Sequence, residues 1–330
     1  MPLLEVTRES GIPLLGCLYF GIVDRGTNLL QVRPSCSCNL CCPFCSVDAG
    51  PCSRTRAMEY AVEVEYLLDA VREVSRFKGE GVEAHIDSPG EPMLHRAIAP
   101  LVKGLKEIPE VRTVSMQTNG TLLSEETISA LEAAGLDRMN LSIHALDRAL
   151  ARRLSGVEWY DVEEILRGAR MVAEGSIDLL IAPVLVPGMN DAEMPKLIEF
   201  ALKVGAGRRW PPLGIQKYER YRWGRHPPGV RPQSWREFYR TLEGWGKEFG
   251  IDLILSPADF GIERRAPLPR MFRKGERTTV EVRAPGWLRG EMLGVARGRV
   301  VSILNCPRTG GRISVRMVST KDGIYVAAPV

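Results

Sequence analysis

Six of the chain's eight cysteines fall between Cys36 and Cys52, while Cys17 and Cys306 stand apart. A thiolate is a nucleophile and a soft metal ligand, so a cluster this dense points first to metal chemistry. Structural zinc usually takes two Cys-x2-Cys knuckles about a dozen or more residues apart, on separate turns that close a tetrahedron. Here Cys38/Cys41 and Cys42/Cys45 abut, which makes that geometry awkward. One register fits better: Cys38, Cys42 and Cys45 form Cys-x3-Cys-x2-Cys, and no other choice among these cysteines does. Iron–sulfur clusters take thiolate ligands, and four saturate a four-iron cluster, so three on one loop leave one iron open. Cys36 and Cys41 lie outside the register and read as bystanders. Glu5, Arg8 and Glu9 interrupt the N-terminus as a signal peptide, so a cytoplasmic protein without a disulfide framework is expected.

The elements that must position these cysteines alternate in period. A strand at 28–33 precedes the cysteine loop, and 58–77 has apolar residues at helical spacing (Val62, Tyr66, Leu67, Val71, Val74). Strands are expected at 82–87, 111–118, 138–143, 177–185 and 213–216. Helices are expected at 98–107, from Ser124 to Gly135, from Asp161 to Gly175, at 194–204 and at 234–249. Six strand–helix units are too few for a closed eight-unit barrel, and such alternation argues for a parallel sheet with helices outside it. From Thr278 onward the pattern changes to five short β-prone runs, at 278–283, 292–296, 300–304, 313–318 and 324–328, which suggest a small barrel.

The motifs at the strand ends carry a resemblance. Phe44 sits just before the third cysteine, and Ser88-Pro-Gly-Glu-Pro92 follows the strand at 82–87. Further on come Gln117-Thr-Asn-Gly120, Asn140-Leu-Ser-Ile-His144 and Val184-Leu-Val-Pro-Gly-Met-Asn-Asp191. With the cysteine register, this ordered series resembles the radical S-adenosylmethionine (SAM) superfamily over roughly residues 28–250, with Pro89 in place of the first glycine of the family's Gly-Gly-Glu-Pro. An archaeal group of uncharacterised iron–sulfur oxidoreductases is similar. The resemblance implies an α/β fold, an open partial (β/α)6 TIM-type barrel, here followed by a small C-terminal β-barrel similar to TRAM or OB-like modules. It divides the chain into an extension at 1–27, the partial barrel at 28–255, a linker at 256–277 and the basic β-barrel at 278–330.

The same resemblance implies a [4Fe–4S] cluster on Cys38, Cys42 and Cys45, whose open iron is chelated by SAM. Phe44 would lie near the adenine, and Gly90 and Glu91 would meet the cofactor's ammonium. Asn119, Ser142 and His144 would bond its ribose or carboxylate, or serve only as caps and turn formers. The alternative for His144 is to face a substrate as an acid–base group, and Gln216 is read as a cofactor or substrate contact or a structural amide. An electron donor such as a ferredoxin or flavodoxin is implied. No auxiliary cluster is expected, because only Cys306 lies beyond Cys52, and Cys306 reads as an ordinary half-buried thiol.

Charge bears on the substrate. The net charge is +4, yet residues 262–330 carry 14 Lys/Arg against 5 Asp/Glu. Residues 208–240 add nine Arg/Lys interleaved with Trp210, Tyr218, Tyr221, Trp223, Trp235, Phe238 and Tyr239. Cations engage phosphates and aromatic planes stack on unpaired bases, so tRNA or rRNA is an expected partner. Arg220, Arg222, Arg225, Arg297, Arg299 and Arg312 are the candidate contacts, and Trp235, Phe238 and Tyr239 are read as packing of the last helix. The expected function is a radical SAM enzyme that modifies an RNA nucleoside. The alternatives are a radical SAM enzyme for a small metabolite or peptide, and a non-catalytic iron–sulfur RNA-binding protein.

Overall fold

A computed structural model describes residues 1–330. Four short strands open the chain, β1 (Leu3–Val6), β2 (Gly21–Asp24), β3 (Leu29–Arg33) and β4 (Glu59–Val62), before helix α1 (Val64–Lys78). Alternation follows through β5 (Val82–Ile86), α2 (Ile98–Lys106), β6 (Val111–Thr118), α3 (Glu125–Ala133) and β7 (Arg138–Leu141). Two helices then succeed one another, α4 (Arg148–Ser155) and α5 (Val162–Glu174). After them come β8 (Asp178–Ile181), β9 (Val184–Leu185), α6 (Met194–Val204), β10 (Gln216–Lys217) and α7 (Trp235–Phe249). The last strands are β11 (Arg277–Pro285), β12 (Met292–Ala296), β13 (Arg299–Ile303), β14 (Gly311–Ser319) and β15 (Val326–Pro329). No helix is long and apolar enough to cross a membrane.

The chain forms two compact units, one of residues 1–38, 53–114 and 263–330, the other of 39–52 and 115–262. In the first, β2 runs antiparallel to β3, which is parallel to β5, with the start of β6 beyond. Strand β1 pairs in parallel with β4, Leu3 opposite Glu59 and Val6 opposite Val62. The expected helix at 58–77 is therefore corrected: its first residues are a strand, with Tyr60 and Val62 buried and Glu59 and Ala61 half-buried, a period of two. The strand's partner lies more than fifty residues away in sequence, so local spacing does not reveal it.

The C-terminal strands close into a barrel in the order β11-β12-β13-β15-β14. Inward residues such as Val280, Val301, Ile303, Val315, Met317 and Tyr325 fill it. This barrel shares its compact unit with the N-terminal segment: Val300 N donates to Leu15 O (2.8 Å), Tyr325 N to Gly16 O (3.0 Å) and Tyr60 Oη to Pro285 O (2.6 Å).

In the second unit, the end of β6, β7 and β8 are parallel neighbours. Their helices start where short polar side chains accept from free backbone N–H groups. Ser124 caps α3 with Thr127 in a capping box, Asp161 caps α5, and Ser234 with Glu237 caps α7. The sixth expected strand is corrected. Leu213 makes only a single bridge to Ile181, and β10 pairs with β9 rather than extending the main sheet. Pro183, between β8 and β9, has no N–H for a ladder, and the long run expected at 177–185 breaks there.

Candidate active site

The structure sorts the cysteines by chemistry. Cys17 and Cys36 are buried and each accepts a backbone N–H, from Tyr19 and Tyr60. Burial raises both thiols, that of Cys36 to about 12, so neither is a thiolate. Cys306 is half-buried and donates to Arg308 O (3.3 Å), an ordinary thiol at the barrel's edge. Cys41 is bonded to Cys52 in a disulfide. That corrects the expectation of a bystander in a chain without disulfides: the bond ties the two ends of the segment that carries Cys42 and Cys45. Cys38, Cys42 and Cys45 remain half-buried thiols outside any disulfide.

The backbone around Cys42 and Cys45 is held from several sides of the second unit. Cys45 N donates to Cys42 O (3.1 Å), and Cys41 N to Ser155 O (2.8 Å) at the end of α4. At Gly156, with φ +71°, a Cβ would stand 2.2 Å from Cys41 O, so only glycine permits that approach. Arg225 contributes most. Its Nε donates to Cys42 O (2.7 Å), Nη1 to Asp48 Oδ1 (2.9 Å) and Nη2 to Ala49 O (2.9 Å), while its own N donates to Cys45 O (2.8 Å). One guanidinium thus bridges three points of the loop, so Arg225, read from the sequence as an RNA contact, faces inward.

In the first unit, the Ser88–Pro92 turn packs on the residue before Cys38. Glu91 N donates to Ser37 O (2.7 Å), and a Cβ on Gly90 would lie 2.0 Å from that oxygen. Glu91 is buried, and its Oε1 accepts from Met93 N (3.0 Å) as the cap of a short 3-10 turn. Ser88 Oγ is buried with no hydrogen-bond partner.

The remaining predicted residues of the second unit follow the carboxyl ends of parallel strands, where open α/β sheets place their ligands. Asn119, just after β6, donates to Asn39 Oδ1 (2.9 Å) and accepts from Thr121 N (3.0 Å), while Asn39 Nδ2 donates to Thr121 Oγ1 (2.8 Å). Asn39 and Thr121 carried no signal of their own, yet this small network ties the cysteine loop to the end of β6. Ser142 Oγ, after β7, accepts from Gln117 Nε2 (2.7 Å). The ring of His144 meets Phe44 edge-on at 5.0 Å. Its Nδ1 accepts from Val184 N (3.1 Å), so the proton resides on Nε2. Burial pushes its pKa down to about 4, which keeps the ring neutral at physiological pH. Asn190, fully buried, accepts from Val186 N (2.8 Å) and donates to His144 O and Val184 O (2.9 Å each). The 184–191 motif is thus a structural tie.

Gln216 is exposed on β10, apart from the hydrogen bonds among Asn39, Asn119 and Thr121. The aromatic tract divides in two. Phe238 is buried as expected, but Trp235 and Tyr239 are 55% and 43% exposed and stacked at 5.6 Å, which corrects their reading as core. Lys217 Nζ stands 4.9 Å over the Trp235 ring. These residues, with Ile215, Gln216 and Tyr221, line a cavity of about 450 Å³. Arg220 donates to Val230 O, and Arg297 to Met271 O with an ion pair to Glu276, so both are engaged within the protein. Arg222 and Arg312 are exposed and Arg299 is half-buried.

Comparisons with known proteins give the family. The family model described as the radical SAM superfamily matches residues 32–201. The chain belongs to the radical SAM superfamily. It is 42% identical over 339 residues to the uncharacterised protein MJ0103 of Methanocaldococcus jannaschii, covering 96% of this chain and 78% of that protein. A probable GTP 3′,8-cyclase of Methanosarcina mazei is 30% identical over 52% of this chain, which spans 49% of it. Among solved structures, Streptococcus suis SuiB bound to SAM superposes with a TM-score of 0.53 at 20% identity, over 67% of this chain and 47% of that one. As a radical SAM enzyme, the protein uses a [4Fe–4S] cluster and SAM.

Proposed function

We propose that this radical SAM enzyme holds its cluster on Cys38, Cys42 and Cys45 and modifies a nucleoside of an RNA, tRNA or rRNA. A cluster held there, reduced by a donor such as a ferredoxin or flavodoxin, would supply the electron for reductive cleavage of SAM to a 5′-deoxyadenosyl radical. The donor set supports this ligand assignment. Of eight cysteines, two are buried with raised pKa, two are bonded to each other, one sits in the barrel, and the three in register are left as half-buried thiols.

The chain's own residues then position and exclude. Arg225 and the turn at Gly156 fix the loop that bears Cys42 and Cys45, so the thiols need little reorganisation. Gly90 brings the Ser88–Pro92 turn against the segment before Cys38, and the unpartnered Ser88 Oγ is a polar group left for a ligand. Phe44 offers an apolar wall suited to an adenine, and neutral His144 offers Nε2–H as a donor. With a pKa near 4, His144 holds its own proton weakly as a cation, so a donor role suits it better than that of general base.

The observation that carries the RNA reading is the exposed, stacked Trp235–Tyr239 pair beside Lys217, an aromatic platform of the kind on which unpaired bases stack. A second reading, a free purine nucleotide as substrate, draws on the relatives named GTP 3′,8-cyclase, which match only 52–59% of this chain.

Anaerobic reconstitution followed by dithionite-driven turnover, with total RNA or GTP added, separates these. The expected result is 5′-deoxyadenosine from the wild type, none from Cys42→Ala, and a new nucleoside in digests of the RNA arm. A new product only with GTP transfers the case to the second reading, and undiminished 5′-deoxyadenosine from Cys42→Ala overturns the ligand assignment.

A further inference from the structure

Uncompensated positive charge gathers in the first unit, in a cleft of about 460 Å³. The segment around β2, the stretch 264–270 and the barrel residues Arg299 and 322–325 line it. Five arginines face it, and two of them are neutralised: Arg25 pairs with Asp322 (2.7 Å) and Arg265 with Glu263. Asp24, the other acid in the lining, is buried and fully engaged. It accepts from Lys78 Nζ (2.6 Å), Gly26 N (2.8 Å) and Leu268 N (2.7 Å). Arg264, Arg270 and Arg299 have no carboxylate within ion-pair distance. In addition, Arg265 Nε is buried with no acceptor.

Three like charges sharing a cleft repel one another, and an unsatisfied buried N–H costs free energy, so both observations ask for the same missing component: an anion. Its chemistry can be narrowed. Guanidinium groups present planar forks that match phosphate oxygens two at a time, and no lysine lines the cleft. Three unpaired charges suit a multiply charged ligand better than a single carboxylate, and the volume accommodates a nucleotide-sized group. Pro267 and Pro269 stiffen the wall that presents Arg264 and Arg270.

We propose that this cleft is a phosphate site, in which Arg264, Arg270 and Arg299 hold the phosphates of a free nucleotide or of an RNA backbone. The assignment concerns the phosphates alone and stands whichever substrate is modified.

The test uses the reconstituted full-length protein. Pyrophosphate and GTP are titrated by calorimetry, and a short unstructured fluorescein-labelled RNA by anisotropy at several salt concentrations. Replacing the three residues together (Arg264→Gln, Arg270→Gln, Arg299→Gln) is expected to weaken whichever of these ligands binds by about tenfold or more. If RNA is the source, the slope of log K against log salt falls by about 2, three contacts' worth. If the source is a free nucleotide, pyrophosphate and GTP lose affinity and RNA does not. Circular dichroism and 5′-deoxyadenosine formation without added substrate are expected to match the wild type, which separates loss of the site from loss of fold or catalysis. Arg299→Lys, which keeps charge but not the fork, should retain the salt slope and lose affinity. Wild-type affinity of the triple variant for all three probes, or no binding of any probe by the wild type, overturns the proposal. An unmodified RNA pool with phosphate binding intact would instead count against the RNA reading alone.

Discussion

Arg225 and the arginines of the first unit's cleft look alike in sequence and differ in use. Arg225 gives every branch of its guanidinium to the protein, clamping the backbone of the cysteine loop and the buried carboxylate of Asp48. Arg264 and Arg270, in the same arginine-rich sequence background, give theirs to none. Basic composition therefore overstates the charge available to a partner, and the cations that count are those the fold leaves uncompensated. Much of the tract at 208–240 is of the first kind. Arg208 donates to Gly175 O and Ile177 O, Arg209 to Asp137 O, and the backbone of both is held by Asp178.

The contrast can be broken at its strong end first. Arg225→Ala removes the side-chain hydrogen bonds to Cys42 O, Asp48 and Ala49 O and takes a guanidinium away from the buried carboxylate of Asp48. A loss of about 3 kcal/mol is expected in denaturant unfolding of the apoprotein, with a matching fall in iron and sulfide retained after reconstitution. Arg225→Lys should recover only part, because an ammonium cannot reach three acceptors in one plane. An unfolding midpoint unchanged by Arg225→Ala would remove the clamp from the account.

An intermediate effect is expected from pH. His144 has a folded pKa of about 4, below the ordinary 6.5, so the unfolded chain binds the extra proton between those values. Its contribution is fully present above pH 6.5 and is lost as pH falls toward 4, on the order of 3 kcal/mol at the end of that window. His144→Asn, compared with the wild type by urea unfolding from pH 7 to 4, should flatten that part of the profile. Equal slopes in both proteins would assign the acid sensitivity elsewhere.

The smallest effect marks the other end of the comparison. Arg264→Gln or Arg270→Gln alone should leave stability within about 0.5 kcal/mol of the wild type in the absence of ligand, because neither side chain is engaged. A larger loss for either would show that it serves the fold after all.

What the sequence makes legible follows from how local each feature is. Cys38, Cys42 and Cys45 are read from spacing alone, and α3, α5, α6 and α7 from an apolar stripe or a capping residue at the start. The five barrel strands are legible because alternating burial is punctuated by turn residues. Features decided by distant partners are not. Strand β4 hides inside a helical pattern because β1 recruits it, and α4 escapes notice because its eight residues, RALARRLS, span barely two turns, too few for a period to stand out. The Cys41–Cys52 bond has no spacing rule to announce it, and Arg225 finds its loop across more than 170 positions. The motif residues split likewise. The 184–191 motif enters through the resemblance, and the amide of its Asn190 is consumed in holding two loops together.

The C-terminal strands return upon themselves, β14 pairing with both β11 and β15. A closed ring has no unpaired rim, so an extended peptide cannot dock there by adding itself as a further strand. Any macromolecule that this part of the chain recognises must be gripped through side chains and connecting turns.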